Sequence, residues 1–378
     1  MAPPANKKFR VLIVDDSAFM RKVLEQIFNA DDQLQVVGHA KDGREAVAMA
    51  ESLKPDVITM DINMPHMDGL QATAQIMTTN PKPIVIVSSE SREGAAGSLK
   101  SLELGAIEFV GKPSSGIDLD MQNVKEELLR KVRMAAKVRV VRTASRLALT
   151  VQGTNRGGAA PAKPAPAVRT VPAPAIPADQ RFPVVVMGAS TGGPATVMRL
   201  APGFTRDFPA AVFLVQHMPA SFTTQYAAQL AEFTSIRVKE AEANEAVQPG
   251  TLYICPGAQH LRVTPAGRIQ LDAASGRING YLPNIDITME TVAAYAGAMS
   301  IGVILTGMGS DGANGAKAIK SAGGMVLAQD EATSVIFGMP AEAIKLAAVD
   351  HVLAIDDIYA AIEKRVISIC KATPLGVK

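Results

Sequence analysis

The sequence predicts an α/β protein: two doubly wound parallel-sheet domains joined by a Pro/Ala-rich linker. Three observations carry that prediction. Short β-branched runs alternate with amphipathic segments of helix length in both halves of the 378-residue chain. The stretch from Gln152 to Asp179, QGTNRGGAAPAKPAPAVRTVPAPAIPAD, is dominated by alanine, proline and glycine and contains no aromatic residue. Such a segment buries too little surface to offset its ordering entropy, so it reads as a semi-extended linker. Finally, polar residues able to do chemistry stand directly after the apolar runs, where open α/β sheets gather their ligands. The domains are placed at residues 1–137 and 181–378, with the linker at 138–180.

In the first half, FRVLIV reads as a buried strand and DDSAFMRKVLEQIF as an amphipathic helix. VVGHA and DVITM are the next strands, with GREAVAMAESL helical between them. PIVIV, a helix around SLKSLELG, and AIEFV follow, and VKEELLRKVRMAAKVRVV closes the domain as a helix with a solvated basic face. The strand ends deliver Asp15 and Asp16, then Asp61, then Ser88 and Ser89, then Lys112 before Pro113. A lone aspartate there would be a helix N-cap. Three carboxylates on one edge repel, and a hard divalent cation such as Mg²⁺ makes them tolerable. A carboxylate beside Mg²⁺ is a competent nucleophile towards a phosphoryl group, whose oxygens Lys112 would neutralise.

These motifs in order, VDDS, MDINMPHMDG, VSS and FVGKP, make Arg10 to Pro113 resemble the receiver domain of two-component response regulators. The resemblance implies a flavodoxin-like fold with Asp61 as phosphoacceptor. It implies that Asp16, Asp61 and the carbonyl of Asn63 hold Mg²⁺, with Asp15 in support. Ser88, Phe109 and Lys112 match the residues that rearrange or pair when the aspartate is phosphorylated.

The second half again starts strand-first. FPVVVM leads into GASTGGP, and AAVFLV leads into QHMPASF and the helical TTQYAAQLAEF. TLYICPG and HLRVT are shorter strands followed by RIQLD, and an irregular or antiparallel section is inserted in the middle of this half before the helical DITMETVAAYAGAM. SIGVIL then leads to TGMGSDG and the helix ANGAKAIKSAGG, and MVLAQD and HVLAI finish the sheet. Ser190, His217 and Asp311 each follow one of these apolar runs. If the strands are parallel, all three reach one rim and form a charge-oriented nucleophile. Pro194 suits a first helical turn. That helix start leaves N–H groups free beside Ser190 for a developing oxyanion, that of Thr191 among them, and Met308 is a second donor.

Two glycine motifs compete with this reading. GASTGGPA has the glycine spacing of a phosphate loop, but Pro194 and Ala195 stand where the lysine and hydroxyl belong. GMGSDG satisfies the dinucleotide pattern, yet Asp311 inside that loop would face the pyrophosphate's own charge. His39, His66 and His351 have no evident partner, His260 suits a structural hydrogen bond, and Cys255 and Cys370 read as buried apolar residues of a reducing compartment. The net charge of +2 offers no basic concentration for nucleic acid. MAPPANKKFR lacks a signal-peptide core, and no apolar run is of membrane-spanning length. The chain therefore reads as soluble and cytoplasmic. A response regulator whose output half binds a partner without catalysis is the alternative from another class, and a fluorophosphonate probe of Ser190 separates the two.

GASTGGP, QHMP, YICPG, GMGSDGA and AQDEATSVIFGMP make residues from Arg181 onward similar to the catalytic domain of the chemotaxis protein-glutamate methylesterases, the CheB family. The resemblance implies a Rossmann-like methylesterase domain, without a cofactor, in which Ser190, His217 and Asp311 are the triad. It implies γ-methyl esters of chemoreceptor glutamates as substrate, with release of methanol, and deamidation of specific receptor glutamines. A CheA-type histidine kinase is the implied phosphodonor, and an unphosphorylated receiver covers the active site. The family often has Arg-Pro-Ser-Val-Asp where this chain has Leu282, Pro283, Asn284, Ile285 and Asp286.

Overall fold

The computed structural model describes residues 8–88, 92–112, 118–138 and 182–372. Nearly all of the proposed linker, the first seven residues, Ser89 and Pro113 lie outside them. In the N-terminal part, β1 (Phe9–Val14), α1 (Ala18–Asn29), β2 (Leu34–Ala40), α2 (Gly43–Leu53), β3 (Val57–Met60), α3 (Gly69–Thr79), β4 (Ile84–Ser88), α4 (Arg92–Glu103), β5 (Glu108–Gly111) and α5 (Asp118–Ala135) alternate. The strands are parallel in the order β2-β1-β3-β4-β5, so the strand order reverses between β1 and β3. Apolar periodicity does not predict α3, whose threonines dilute the pattern. It forms behind a capping box in which Asp68 accepts from the N–H of Gln71 and Gln71 accepts from that of Asp68.

The C-terminal part runs β6 (Val184–Ala189), α6 (Gly193–Leu200), β7 (Ala211–Gln216), α7 (Ala220–Leu230), β8 (Arg237–Glu240), β9 (Thr251–Ile254), β10 (His260–Val263), β11 (Ile269–Asp272), α8 (Ile285–Ala296), β12 (Ser300–Ile304), α9 (Ala313–Ser321), β13 (Met325–Gln329), α10 (Met339–Lys345), β14 (His351–Leu353) and α11 (Ile355–Ala372). Seven of these strands form a parallel sheet in the order β14-β13-β12-β6-β7-β9-β8, and β10 pairs antiparallel with β11 as a separate hairpin. β8, Arg-Val-Lys-Glu, is a polar edge strand with no apolar run to announce it. The three strands that precede Ser190, His217 and Asp311 are the adjacent β6, β7 and β12 at the centre of the sheet. Each is buried throughout, as parallel strands covered on both faces must be.

The two parts dock through α4 and β5 on one side and α7 on the other. Phe109 of β5 stacks on Phe222 of α7, with ring centroids 4.3 Å apart and planes 23° apart. Gln229 of α7 donates to the carboxylate of Glu103 at the end of α4. A single apolar cluster runs through the contact, taking in Leu99, Phe109, Met218 and Phe222. Of the remaining histidines, His260 is fully buried and meets the carbonyl of Gly276 at 2.8 Å, in keeping with a structural role. His39, to which the sequence assigns no partner, lies 3.4 Å from Glu25 of the neighbouring α1. Cys255 is buried and Cys370 partly so, and burial raises both thiols. Among the described residues no helix is long and apolar enough to cross a membrane.

Candidate phosphorylation and active sites

At the carboxyl edge of the first sheet, Asp15 and Asp16 follow β1 and Asp61 follows β3. One ligand oxygen from each can lie within 4.8 Å of the others. Asp15 and Asp61 are buried and Asp16 is exposed, so the cluster opens to solvent on one side. Lys112 after β5 places its Nζ 2.8 Å from a carboxylate oxygen of Asp15 and 2.8 Å from one of Asp61. Burial raises the Asp61 carboxyl above the usual aspartate range, and Lys112 opposes this only in part. Burial works against the Lys112 charge, but the bonds to Asp15 and Asp61 outweigh it and hold the ammonium. The Asp61 backbone is pinned where α3 begins. A Cβ on Gly69 would sit 2.0 Å from the Asp61 carbonyl oxygen, so only glycine admits this approach. Asn63 is exposed in the loop after β3, between the buried Ile62 and Met64, and Ser88 ends β4 with its hydroxyl 3.4 Å from the Gly94 carbonyl. Phe109 faces away from this edge into the stack with Phe222. Behind it, the buried Lys131 of α5 donates to the Phe109 carbonyl at 2.8 Å and lies 5.3 Å from the ring centroid.

The second sheet assembles its site by register. Ala189 pairs with Gln216 and Gly188 with Ile304, so Ser190 and His217 are the next residues on adjacent parallel strands. Ser190 N–H donates to the Thr306 carbonyl at 3.0 Å, and His217 N–H to that of Ala189 at 3.0 Å. Asp311 reaches the same rim from the loop after β12. One of its carboxylate oxygens lies 2.7 Å from His217 Nε2 and accepts from Ile285 N–H at 2.8 Å, while the other accepts from Asp286 N–H at 3.0 Å. The acid thus sits on the positive end of α8, which Asn284 caps. The segment that departs from the family's usual Arg-Pro-Ser-Val-Asp is therefore the one that holds the acid. Asp286 itself is pushed up by burial and by the nearby Asp311 charge, against the N–H of Gly315.

The imidazole and the acid are joined. Ser190 lies beside them on the rim, with no hydrogen bond from its hydroxyl to His217 among the described residues. The second ring nitrogen, Nδ1, is buried without a partner among the described residues. Catalytic bonds of this kind commonly tighten only with substrate bound. The N–H groups of Thr191 and Met308 likewise meet no acceptor among the described residues. Ser190 is 6% exposed and Asp311 3%, and Arg130 of α5 reaches to 3.7 Å from the sulfur of Met308. The first domain therefore touches the loop that carries Asp311.

Sequence reasoning missed the braces. Gln216 reads as an ordinary strand end, yet its side-chain amide donates to the carbonyls of Ser190 at 2.9 Å and His217 at 3.3 Å. Thr306 donates its hydroxyl proton to the Thr191 carbonyl at 3.0 Å and accepts from Ile336 N–H at 2.9 Å. The AQDEATSVIFGMP segment is thereby tied to the serine turn. Gly307 packs directly against the serine: a Cβ there would lie 2.2 Å from the Met339 sulfur and 2.7 Å from the Ser190 Cβ. Gly307→Ala is expected to displace the serine and lower turnover on the order of 10²-fold with substrate affinity little changed, as kcat and KM of the purified variant would show.

A CheB methylesterase model matches residues 185–362, and a response regulator receiver domain model matches residues 11–122. A protein-glutamate methylesterase/protein-glutamine glutaminase of Pyrococcus horikoshii is 42% identical over 369 residues, covering 96% of this chain and 95% of its own. One from Symbiobacterium thermophilum is 40% identical over 369 residues, covering 97% and 99%. Among solved structures, the catalytic domain of the Thermotoga maritima CheB methylesterase is 40% identical and covers 48% of this chain and 98% of its own, with a TM-score of 0.47.

Proposed function

This chain belongs to the CheB methylesterase family, and from that premise we propose a receiver-controlled serine esterase acting through Ser190, His217 and Asp311. Its substrates are γ-methyl esters of glutamate on chemoreceptors, and its second activity is deamidation of receptor glutamines. The observation that carries this reading is the 2.7 Å contact of His217 with Asp311, one register step from Ser190. Asp311 occupies one ring nitrogen, which leaves the other to take the proton of Ser190. The serine oxygen attacks the γ-carbonyl, and the resulting oxyanion is received by the N–H groups of Thr191 and Met308. His217 returns the proton to the departing methoxide, methanol leaves, and water cleaves the acyl-enzyme by the same route reversed. An amide at the same carbonyl loses ammonia instead, which is why one site serves both activities. Methanol release from methylated receptor membranes tests substrate and reaction together.

In the receiver, hard oxygen donors beside a solvent opening fit Mg²⁺ better than a softer ion. Asp16, Asp61 and the Asn63 carbonyl would hold it, with Asp15 in support, and the ion would offset phosphoryl charge. The Asp61 carboxylate takes the phosphoryl group from a CheA-type histidine kinase, and Lys112 turns from its aspartate partners to that group. Ser88 and Phe109 then follow the phosphoryl group inward. Asp61→Asn is expected to leave basal methanol release in place and to remove all stimulation by acetyl phosphate with Mg²⁺. Stimulation that persists in the variant would move the phosphoacceptor elsewhere.

A further inference from the structure

Resting on the triad read above, we propose that Tyr281 is a positioning residue for the reaction: its ring holds the His217 imidazole in plane and faces the imidazolium that forms during acyl transfer. The two rings stack with centroids 4.5 Å apart and planes 15° apart. Without that face, the imidazole would be steered only by its single bond to Asp311 and would be free to swing about it. With it, the ring has one in-plane orientation, and the nitrogen left over is aimed consistently. The aromatic face is also the negative one. It favours the charged ring over the neutral ring as the proton leaves Ser190, and so acts more strongly on the transition state than on the resting enzyme.

Tyr281 is built into the site from both sides. Ile278 and Tyr281 exchange backbone hydrogen bonds of 3.0 Å in each direction across Asn279 and Gly280. Those two residues have φ of 52° and 86°, the tight hairpin turn that an Asn-Gly pair favours. Asn284 donates from its side chain to the Ile278 carbonyl at 3.3 Å while its side-chain oxygen caps α8, the helix whose N–H groups hold Asp311. One compact unit therefore presents the aromatic ring to one part of the triad and the helix end to another. On the far side, a Cβ at Gly309 would lie 2.1 Å from the Tyr281 hydroxyl oxygen. The tyrosine is thus lodged between the imidazole and the bare backbone of the loop that carries Met308 and Asp311.

The test compares Tyr281→Leu, which keeps apolar bulk but no π face, with Tyr281→Phe, which keeps the ring and loses the hydroxyl. Both are assayed as full-length protein by methanol release from methylated receptor membranes, with and without acetyl phosphate and Mg²⁺. Tyr281→Leu is expected to lose about tenfold in kcat with KM within about twofold, and Tyr281→Phe to restore most of that loss. The ratio to wild type is expected to be the same in both conditions, because the effect lies in the chemical step and not in docking of the receiver. Tyr281→Met replaces the leucine variant if that protein does not fold. Wild-type turnover in Tyr281→Leu, a phenylalanine variant as slow as the leucine one, or a defect that vanishes on phosphorylation would each overturn the inference. Ser190→Ala in parallel separates the failures: if it keeps turnover, the triad reading falls, whereas a dead Ser190→Ala beside an unimpaired Tyr281→Leu sinks only the role of Tyr281.

Discussion

Replacing Ser190 by alanine is expected to bring methanol release down to background in an otherwise native protein. Removing the nucleophile of a serine triad costs on the order of 10⁶ in kcat, and partners left behind recover little because the residues act as a unit. The fold has no reason to change. The serine is positioned through its backbone, by Thr306 and by the Gln216 amide, and neither contact uses the hydroxyl. The variant should therefore melt within about 0.5 kcal/mol of wild type and accept phosphate on Asp61 as before. It should also fail to react with a fluorophosphonate. A Ser190→Ala protein that still releases methanol would leave a phosphate-controlled switch with some other output.

Deleting Met1 to Val151 is expected to have the next largest effect and the opposite sign. The N-terminal domain lays Phe109 on Phe222 and Glu103 on Gln229, and it brings Arg130 up to Met308 beside the acid loop. A methylated helix needs that rim clear. If docking is favoured by a few kcal/mol, the open enzyme is a small fraction of the total, and freeing it raises basal turnover on the order of ten- to a hundredfold. The measurement is methanol release without phosphodonor, normalised to Ser190 labelling. No rise on deletion would dispose of the covering role while leaving the triad untouched. The interface variant Phe109→Ala gives a milder version of the same change, since it removes one ring from the contact without exposing the rest of α7.

The parts of this arrangement that follow a strand end could be read from the chain. Asp15, Asp61, Ser190 and His217 appear where an apolar run stops, and Asp311 in the loop that follows one, and parallel pairing then brings distant positions to one lip. The strand order 2-1-3-4-5 in the first sheet and the central β12-β6-β7 trio in the second give that rule its geometry. What could not be read depends on side chains crossing between elements. Gln216 looks like any polar strand terminus until its amide is seen bridging two carbonyls. Tyr281 lies in a loop with no periodicity, and its place on the imidazole depends on where the β11–α8 connection returns. Phe222 occupies an ordinary helical core position, and nothing in local sequence reveals that a second domain supplies its partner. The polar β8 and the threonine-rich α3 escaped for the related reason that their stability comes from neighbours and caps.

The stack of Phe109 on Phe222 has a thermodynamic corollary. The ring expected to turn inward when Asp61 is phosphorylated is the same ring that glues the halves together, so the two events share one free energy and must oppose each other equally in both directions. If Phe109 turns inward in this way, whatever draws the catalytic half away shifts the phosphorylation equilibrium of the aspartate by the same factor by which phosphate shifts the opening of the site. On that linkage, the level of phosphate carried at equilibrium would rise with the amount of substrate bound.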